Sequence, residues 1–365
     1  MHPKVSVIVP VYNLELYIER CLLSLARQQF DQPYEVLVVN DGATDDSQLI
    51  IDEVAAAHPG IFQTFVKPNG GHGSACNYGI DRARGDYLAF VDGDDFLGEQ
   101  TLQEMYDKAV ETGADLLIGN LLYRFETHCE PYLPLPELRS ERMLSEAERT
   151  LLFKNWATPC GRLYRRKLFE DREVRMLEGV IHADANFSPK TYFAAERIYY
   201  TPREWYHYDL TRPDQSMKAT TRRIMDIVPV LTDMLEFFER KGAFERYRYE
   251  LEYYTLKHVL SWVPKVGRLK DYPVRQGLKD IFAVMDRFFP GWVSHRPVGE
   301  LARSKVMMRL NRSAGFAPMI ARGEIKRSFR FFYRAAHRAA HGSVNAVEKT
   351  RQVFERFLGG INDPF

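Results

Sequence analysis

Val5-Ser6-Val7-Ile8-Val9-Pro10, near the start of the chain, is a short β-branched run closed by a proline, the pattern of a buried strand. Further strand-like runs alternate with stretches that carry apolar residues at helical spacing, beginning with residues 16–29. This alternation predicts an α/β fold with a largely parallel sheet and helices on both faces. The other predicted strands are Glu35–Val39, Phe62–Lys67, Tyr87–Val91 and Asp115–Gly119, and the other predicted helices span about 44–58, 74–84 and 99–112.

Polar motifs follow three of these strands directly. They are Pro10-Val11-Tyr12-Asn13, Asn40-Asp41-Gly42 and Asp92-Gly93-Asp94-Asp95. In parallel sheets the ligand crevice lies beyond the carboxyl ends of the strands. Asp/Gly clusters are often ordinary turns, but separate turns do not explain why all three motifs share this placement. The sequence therefore predicts a binding site at one edge of the sheet.

The motif Asp92-Gly93-Asp94-Asp95 carries three carboxylates within four positions. Such a cluster repels itself and suits the sharing of a divalent cation. Hard oxygen ligands favour Mg²⁺ or Mn²⁺, which usually bind one or two carboxylates together with substrate phosphates.

With these segments in order, the chain resembles the family 2 inverting glycosyltransferases, which have the GT-A fold, over roughly residues 3–217. Relatives of this kind act in bacterial cell-surface polysaccharide and teichoic-acid synthesis. The resemblance rests on four segments in the family's order and spacing: Val5–Asn13, Val39–Ser47, Asn69–Gly79 and Asp92–Asp95.

The resemblance implies a UDP-sugar donor and a role for each matching residue. Pro10 and Tyr12 would line the base pocket, and Asp41 would bind the uracil edge. Asn69 and Asn77 would shape the Gly-rich loop beside the nucleotide; the alternative for that loop is a plain flexible connection. Asp92 would reach the ribose or the metal, Asp94 would ligate the Mn²⁺ or Mg²⁺ that bridges the diphosphate, and Asp95 would support the site or face the acceptor.

Inversion in a single displacement needs a base on the acceptor side. The resemblance assigns this role to Asp184, where the family usually has a Glu-Asp pair; here the preceding residue is Ala183. Glu178 and His182 are the alternatives. Asp184 could also be a carboxylate that only stabilises a helix N-terminus.

Relatives end the catalytic domain with an aromatic segment and a Gln-Ser loop, and Tyr206–Met217 is comparable. A loop here could close over the diphosphate, with His207 or Arg212 supplying positive charge or a metal ligand. Lid closure is common in transferases because water would otherwise hydrolyse the donor.

The 365 residues suggest a GT-A catalytic domain over 1–217, a helical domain over 218–320 and a basic amphipathic helical tail over 321–365. The four cysteines have no metal-binding spacing and are those expected of a reduced, cytoplasmic protein. No signal peptide and no run of about 18 apolar residues is recognisable.

Charge is unevenly distributed along the chain. Residues 1–100 hold six Lys/Arg and fifteen Asp/Glu, whereas residues 303–356 hold thirteen Lys/Arg and three Glu. Ile325–His341 has apolar and basic faces, typical of a helix lying on an anionic membrane surface. The alternatives are packing on the catalytic domain, a homo-oligomer contact and binding of an anionic polymer; nucleic acid is disfavoured because the charge is confined to the tail.

The resemblance implies a metal-dependent inverting transferase, and the basic tail predicts a cytoplasmic protein that is peripheral on the inner face of the plasma membrane. It would move a sugar from a UDP-sugar to a hydroxyl of a glycan or lipid-linked acceptor. One alternative is a nucleotidyltransferase, although the first strand is not followed by a Gly-rich basic loop. Another is a non-catalytic scaffold that binds a nucleotide-sugar or polymer.

Overall fold

The computed structural model describes residues 1–292, apart from 134, 139, 156–157, 213–221, 267–268 and 270–271, together with residues 295 and 297. The chain divides into two compact units, residues 1–213 and 214–365. The expected domain boundaries at 217 and 320, and the amphipathic segment Ile325–His341, lie outside the described residues.

The first unit is built on one ten-stranded sheet. Its strands are β1 Val5–Val11, β2 Tyr34–Asn40, β3 Phe62–Val66, β4 Tyr87–Phe90, β5 Phe96–Leu97, β6 Leu116–Arg124, β7 Cys129–Tyr132, β8 Arg142–Met143, β9 Arg162–Arg165 and β10 Ile198–Asp209. Its helices are α1 Ile18–Ala26, α2 Ser47–Ala57, α3 His72–Ile80, α4 Thr101–Thr112, α5 Glu146–Arg149 and α6 Asp184–Ala194.

The order of strands across the sheet is β3-β2-β1-β4-β9-β6-β10-β5, with β7 paired to β6 and β8 to β10. The first four are parallel, as the alternating pattern predicted. β9 then enters antiparallel to both β4 and β6, so the sheet as a whole is mixed. β6 and β10 are again parallel, whereas the pairs with β5, β7 and β8 are antiparallel. The predicted α/β class is confirmed, with parallel pairing among β3, β2, β1 and β4 and between β6 and β10.

Every residue of β1 is buried, which explains its continuous apolar run: helices cover both faces of a parallel sheet. α3 packs closely against this strand at Gly79. A Cβ on Gly79 would lie 2.5 Å from Cγ2 of Ile8, so the close approach requires glycine. The tight packing fixes α3, and with it the Gly-rich loop, over the carboxyl ends of the strands.

The second unit is helical in its described part. After a 3₁₀ turn at Arg222–Asp226 come α7 Ile227–Arg240, α8 Arg248–Val266 and α9 Val274–Phe288. α7 begins at Ile227, so Pro229 lies in its first turn, where a helix tolerates a missing N–H. Val230, Met234 and Phe237 share one face and are fully buried, as expected of core contacts. Among the described residues, no helix combines the length and apolar character needed to cross a membrane.

Candidate functional site

The loops after β1, β2 and β4 lie side by side at one edge of the sheet. β1 pairs in parallel with both β2 and β4, so the carboxyl ends of the three strands point the same way. Asp41 directly follows β2, and Asp92 lies two residues after the end of β4. Three motifs that are far apart in sequence therefore meet at a shared edge.

Asp41 fastens the loop that leads into α3. Its carboxylate is buried; Oδ1 accepts hydrogen bonds from Nζ of Lys67 at 2.6 Å and from the amide of Gly70 at 3.0 Å. Oδ2 accepts from the amide of Gly71 at 2.7 Å. Gly71 has φ 84°, a conformation that favours glycine. A carboxylate has roughly four acceptor positions, so Asp41 can hold the loop and still accept a hydrogen bond from a nucleobase. That contact stays a prediction.

Asn77 joins α3 to the segment that precedes α6. Its Nδ2 donates to the carbonyl of Met176 and to Oε1 of Glu178, both at 2.9 Å, and its Oδ1 accepts from the amide of Met176 at 3.0 Å. Oε2 of Glu178 accepts from Oγ of Ser74 at 2.9 Å. Both oxygens of Glu178, one of the alternatives to Asp184 as base, are therefore used to brace the fold.

The remaining residues predicted to line the nucleotide differ in exposure. Pro10 is buried within β1, whereas the Tyr12 side chain after it is 48% exposed. Asn69 is exposed in the loop that Asp41 fastens. The open Tyr12 ring is available to a planar ligand, and the nucleotide roles of Pro10, Tyr12, Asn69 and Asn77 stay predictions.

Asp95 anchors the acidic motif to β10. Its buried Oδ2 accepts a 2.6 Å hydrogen bond from the hydroxyl of Tyr206, and its Oδ1 accepts from the amide of Asp209 at 2.8 Å. The same Tyr206 hydroxyl accepts from the amide of Asp92 at 3.1 Å. Burial, followed by the charges of Asp94 and Asp92, raises the pKa of Asp95 well above its usual range. Asp95 thus holds the motif in place.

Asp92 is paired with His72 of α3. Nε2 of His72 lies 2.9 Å from Oδ1 of Asp92, and Sγ of Cys160 donates to Oδ2 at 3.7 Å. Burial raises the pKa of the Asp92 carboxyl, but the hydrogen bond and charge of His72 outweigh it and the net shift is downward. Burial lowers the pKa of His72, but Cys76 and Asp92 raise it and the net shift is upward. The pair therefore favours a charged carboxylate beside an imidazolium.

Asp94 is contacted by two arginines. Burial and the charge of Asp92 raise its pKa, against the opposing effect of Arg212. Nη1 of Arg212 donates to Oδ2 of Asp94 at 2.9 Å. Nη2 of Arg20 donates to the carbonyl of Asp94 at 2.7 Å and pairs with Oδ2 of Asp209 at 2.6 Å. Two arginines thus converge on Asp94, and one of them is the predicted lid residue.

The donor chemistry of Asp92 and Asp94 fits a divalent cation. Both offer the hard oxygen ligands that Mg²⁺ and Mn²⁺ prefer. Burial and then the charge of Asp92 raise the pKa of Asp94, and a bound cation would favour the ionised carboxylate. Within the part of the chain that the structure describes, no group of three or more His, Cys, Asp or Glu forms a complete metal site. A cation held here would take its other ligands from water and substrate phosphates.

Asp184 is the first residue of α6. Burial raises its pKa to about 6; His72 and the backbone amides of Ala185 and Asp184 oppose the shift, and Asp92 adds to it. These interactions put the Asp184 carboxyl in electrostatic reach of the His72–Asp92 pair. Asp184 can therefore be the general base, a carboxylate that stabilises the N-terminus of α6, or both. The two interpretations from the sequence stay predictions.

Ala183 stands where the family usually has a glutamate, and the packing explains why a small residue fits. Ala183 is 3% exposed. A Cβ placed on Gly73 would lie 3.2 Å from the Ala183 Cβ and 2.6 Å from the carbonyl of Leu177. The start of α3 is therefore packed against the start of α6, and Asp184 is the only acidic residue of that predicted pair.

His207 lies against Phe96 rather than against the acidic motif. The two rings stack with centroids 4.7 Å apart, and the rings are nearly parallel. Successive strand residues face opposite sides, so His207 and Tyr206 point away from each other. Among the described residues no contact joins His207 to Asp92 or Asp94, whereas the other predicted lid residue, Arg212, reaches Asp94 directly.

Sequence reasoning missed Arg20 and the supporting role of Tyr206. Arg20 looks like an ordinary basic residue on the polar side of α1, and its partners Asp94 and Asp209 are far away in sequence. Tyr206 belongs to the aromatic run Tyr206-His207-Tyr208, whose composition gives no partner for its hydroxyl. No local pattern identifies either contact, because both depend on where β10 lies relative to β4.

The chain is similar to known proteins in sequence and in structure. The model of the family described as glycosyl transferase family 2 matches residues 6–172. The uncharacterized glycosyltransferase EpsJ of Bacillus subtilis is 31% identical over 275 residues, which are 71% of this chain and 77% of EpsJ.

Two comparisons concern the same relative. Poly(ribitol-phosphate) beta-N-acetylglucosaminyltransferase TarS of Staphylococcus aureus is 29% identical over 59% of this chain and 37% of its own length. The crystal structure of TarS residues 1–349 in complex with UDP-GlcNAc matches with a TM-score of 0.57 and 22% identity, covering 98% of this chain and 92% of that one. This structural likeness supports a common fold.

Proposed function

The chain belongs to glycosyl transferase family 2, and on that premise we propose that it transfers a sugar, with inversion, from a UDP-sugar to a hydroxyl of a glycan or lipid-linked acceptor. The observation that carries the proposal is the position of Asp184 within electrostatic reach of Asp92, together with the burial that raises the pKa of Asp184 to about 6. Family membership also speaks against the nucleotidyltransferase alternative and against a purely non-catalytic scaffold.

On the donor side, Pro10, Tyr12 and Asp41 would hold the uracil base, while Asn69 and Asn77 shape the adjoining loop. TarS, a family relative, was crystallised with UDP-GlcNAc and with UDP, which supports a uridine nucleotide here. Asp41 is already fixed by the loop amides. Binding would therefore require little rearrangement of this carboxylate.

The diphosphate would lie beside Asp92, Asp94 and Arg212. A Mn²⁺ or Mg²⁺ ion held by Asp94 and Asp92 would offset the negative charge that develops on the departing UDP. Arg212, now paired with Asp94, would turn its guanidinium to the diphosphate oxygens. His207 is not assigned a part in this step, since its ring is stacked on Phe96.

On the acceptor side, Asp184 would take the proton from the attacking hydroxyl. The hydroxyl oxygen forms its bond to the anomeric carbon as the bond from that carbon to the diphosphate breaks on the opposite face. One displacement therefore inverts the configuration. A base works best when its pKa is near the operating pH, and a pKa of about 6 leaves Asp184 mostly ionised at neutral pH while still able to accept a proton.

The domain assignment and the tail complete the proposal. Residues 1–217 would be catalytic and 218–320 a helical accessory domain. The basic tail, 321–365, would hold the protein on an anionic cytoplasmic membrane surface through Ile325–His341, with a homo-oligomer contact as the alternative. Sedimentation with vesicles containing anionic lipid, compared with neutral vesicles, tests the membrane role. The full chain should co-sediment and a chain ending at residue 320 should not.

The decisive experiment measures UDP release from a panel of UDP-sugars, with Mn²⁺ or with EDTA and with a mixture of glycan acceptors. Wild type should release UDP from one donor only when metal is present, and Asp94→Ala should lose this activity. Asp46→Ala is the control for Asp94→Ala, because Asp46 is an exposed acidic residue outside the acidic motif. Metal-independent release, or full activity in Asp94→Ala, would contradict the proposal.

A further inference from the structure

Three tyrosines extend the face of the sheet that carries the acidic motif. Tyr206 binds Asp92 and Asp95 through its hydroxyl. Tyr208 is two residues further along β10, so its side chain points to the same face. Next to it in the sheet, Tyr123 of β6 pairs in register with Tyr208. Beyond Tyr123, Tyr132 ends the neighbouring strand β7.

The tyrosine row is defined as Tyr208, Tyr123 and Tyr132. Their rings contact one another across the adjacent strands β10, β6 and β7. The ring centroids of Tyr208 and Tyr123 are 5.3 Å apart, and those of Tyr123 and Tyr132 are 5.1 Å apart with nearly parallel planes. All three side chains are partly exposed. A continuous aromatic surface therefore leads away from the acidic motif.

Different carboxylates affect the pKa values of the tyrosines at the two ends of the row. Burial, then the charges of Asp95, Asp92 and Asp94, raise the pKa of Tyr208. At the other end, burial raises the pKa of Tyr132, and the charge of Asp184 contributes. The acidic motif therefore acts electrostatically on one end of the tyrosine row, and Asp184 acts on the other.

The row also offers polar groups that the fold does not use. Within the described residues, the hydroxyls of Tyr123 and Tyr208 form no hydrogen bond. Tyrosine presents an apolar ring and a polar tip, which together match a sugar ring with its apolar C–H face and its rim of hydroxyls. The charges that act on Tyr208 and Tyr132 are mainly carboxylates, and Arg162 is the cation among them. The other arginines close by have partners: Arg20 pairs with Asp209, Arg212 with Asp94, and Arg124 lies over the Phe96 ring. Such surroundings favour a neutral ring over a phosphate.

We propose that the tyrosine row binds the acceptor as a neutral pyranose ring and delivers its hydroxyl to Asp184. The inference rests on the proposed glycosyl transfer and adds the chemical class of the acceptor's terminal unit. It separates this chain from TarS, whose name specifies a poly(ribitol-phosphate) acceptor.

Saturation-transfer difference NMR on the full chain tests the assignment without requiring catalysis. The probes are methyl glycosides of glucose, galactose, mannose and N-acetylglucosamine, with ribitol 5-phosphate as the charged, open-chain comparison. At least one methyl pyranoside should receive saturation on its ring C–H protons, with UDP present to occupy the donor site. Ribitol 5-phosphate should give a weaker signal.

The variants Tyr208→Ala and Tyr123→Ala should each weaken pyranoside binding by about three- to tenfold, the worth of one aromatic contact. Tyr208→Phe and Tyr123→Phe keep the ring and should retain most of the pyranoside binding. Their binding shows that weaker binding by the alanine variants comes from loss of the ring and not from misfolding. Tyr199→Ala is the matched control: Tyr199 is a partly exposed tyrosine at the start of the same strand. It should bind pyranosides as wild type does.

Equal pyranoside binding in wild type and both alanine variants would overturn the proposal. So would preferential binding of ribitol 5-phosphate, or the absence of any pyranoside signal. UDP affinity, measured on the same samples by calorimetry, separates the two proposals. If wild type does not bind UDP, the proposed donor is wrong. The pyranoside result still decides whether the tyrosine row binds the acceptor.

Discussion

Asp41 and Asp184 are carboxylates on the proposed donor and acceptor sides of one site, but the fold treats them differently. Asp41 is buried and accepts hydrogen bonds from Lys67 and from two successive loop amides. Asp184 is partly exposed, and burial of its carboxyl raises its pKa to about 6. On the donor side, hydrogen bonds within the protein already hold the Asp41 carboxylate. On the acceptor side, the Asp184 carboxyl is able to take up a proton.

The difference follows from the work proposed for each side. A nucleotide that is common to many reactions can be held by a rigid loop, because preorganised groups lose less entropy on binding. A base must change its protonation state, so it cannot be tied into strong hydrogen bonds that favour only the charged form. Substitutions on the two sides should therefore have separable effects on binding, stability and rate.

The largest expected effect is on the acceptor side. Asp184→Asn should lower sugar transfer by about 10²- to 10⁴-fold, the usual contribution of a general base. UDP affinity should stay unchanged, because Asp184 lies outside the proposed nucleotide contacts. Transfer rates and UDP calorimetry on the same variant measure the two effects. Glu178→Gln is the control; it should keep most of the activity, and wild-type transfer by Asp184→Asn would show that the base has been misassigned.

Next comes the rigidity of the donor side. Asp41→Ala leaves the Lys67 amine and two loop amides without their acceptor, at a cost of about 3 kcal/mol. The thermal unfolding midpoint and UDP affinity should fall together. Asp46→Ala, at an exposed position, should change neither. If Asp41→Ala is as stable as the control, the loop is not held by this carboxylate.

Removal of Arg212 should have a smaller effect on the donor side. Arg212→Ala deletes a charged hydrogen-bond donor and should raise the KM for the UDP-sugar or lower kcat by about 10- to 100-fold. Because Arg212 no longer competes for Asp94, Mn²⁺ should bind the nucleotide-free variant more tightly than wild type, as measured by electron paramagnetic resonance. Arg212→Lys should recover part of the rate. Unchanged metal affinity would argue against the exchange of partners at Asp94.

The smallest effect is a pH dependence specific to the acceptor side. Asp184 must be ionised to accept a proton, and its pKa is about 6. The rate constant kcat/KM should therefore be level above that pH and fall about tenfold per unit below it. UDP binding, followed over the same pH range, should not decline with this pKa. If kcat/KM stays constant down to pH 5, Asp184 does not act as a base with a pKa of about 6, and the two sides do not differ in pH dependence.

Much of the donor side could be predicted from the sequence because each motif is contiguous and directly follows a strand. The parallel pairing of β1 with β2 and β4, and the placement of Asp41 and Asp92 at one edge of the sheet, follow from that pattern. The antiparallel insertion of β9 could not be predicted, since Arg162–Arg165 is too short to reveal its partners. His207 illustrates the same limit: its composition suggested a charged lid, but strand alternation turned it towards Phe96.

By itself, the sequence determined the α/β alternation, the edge where the acidic motif lies and the family to which the chain belongs. It did so because strand periodicity and strand-end motifs are local properties of the chain. The tertiary structure alone decided the pairing of Arg212 with Asp94, the anchoring of Asp95 by Tyr206 and the alignment of the tyrosine row. These contacts join residues from distant strands, and their geometry exists only once the sheet has set the register between those strands.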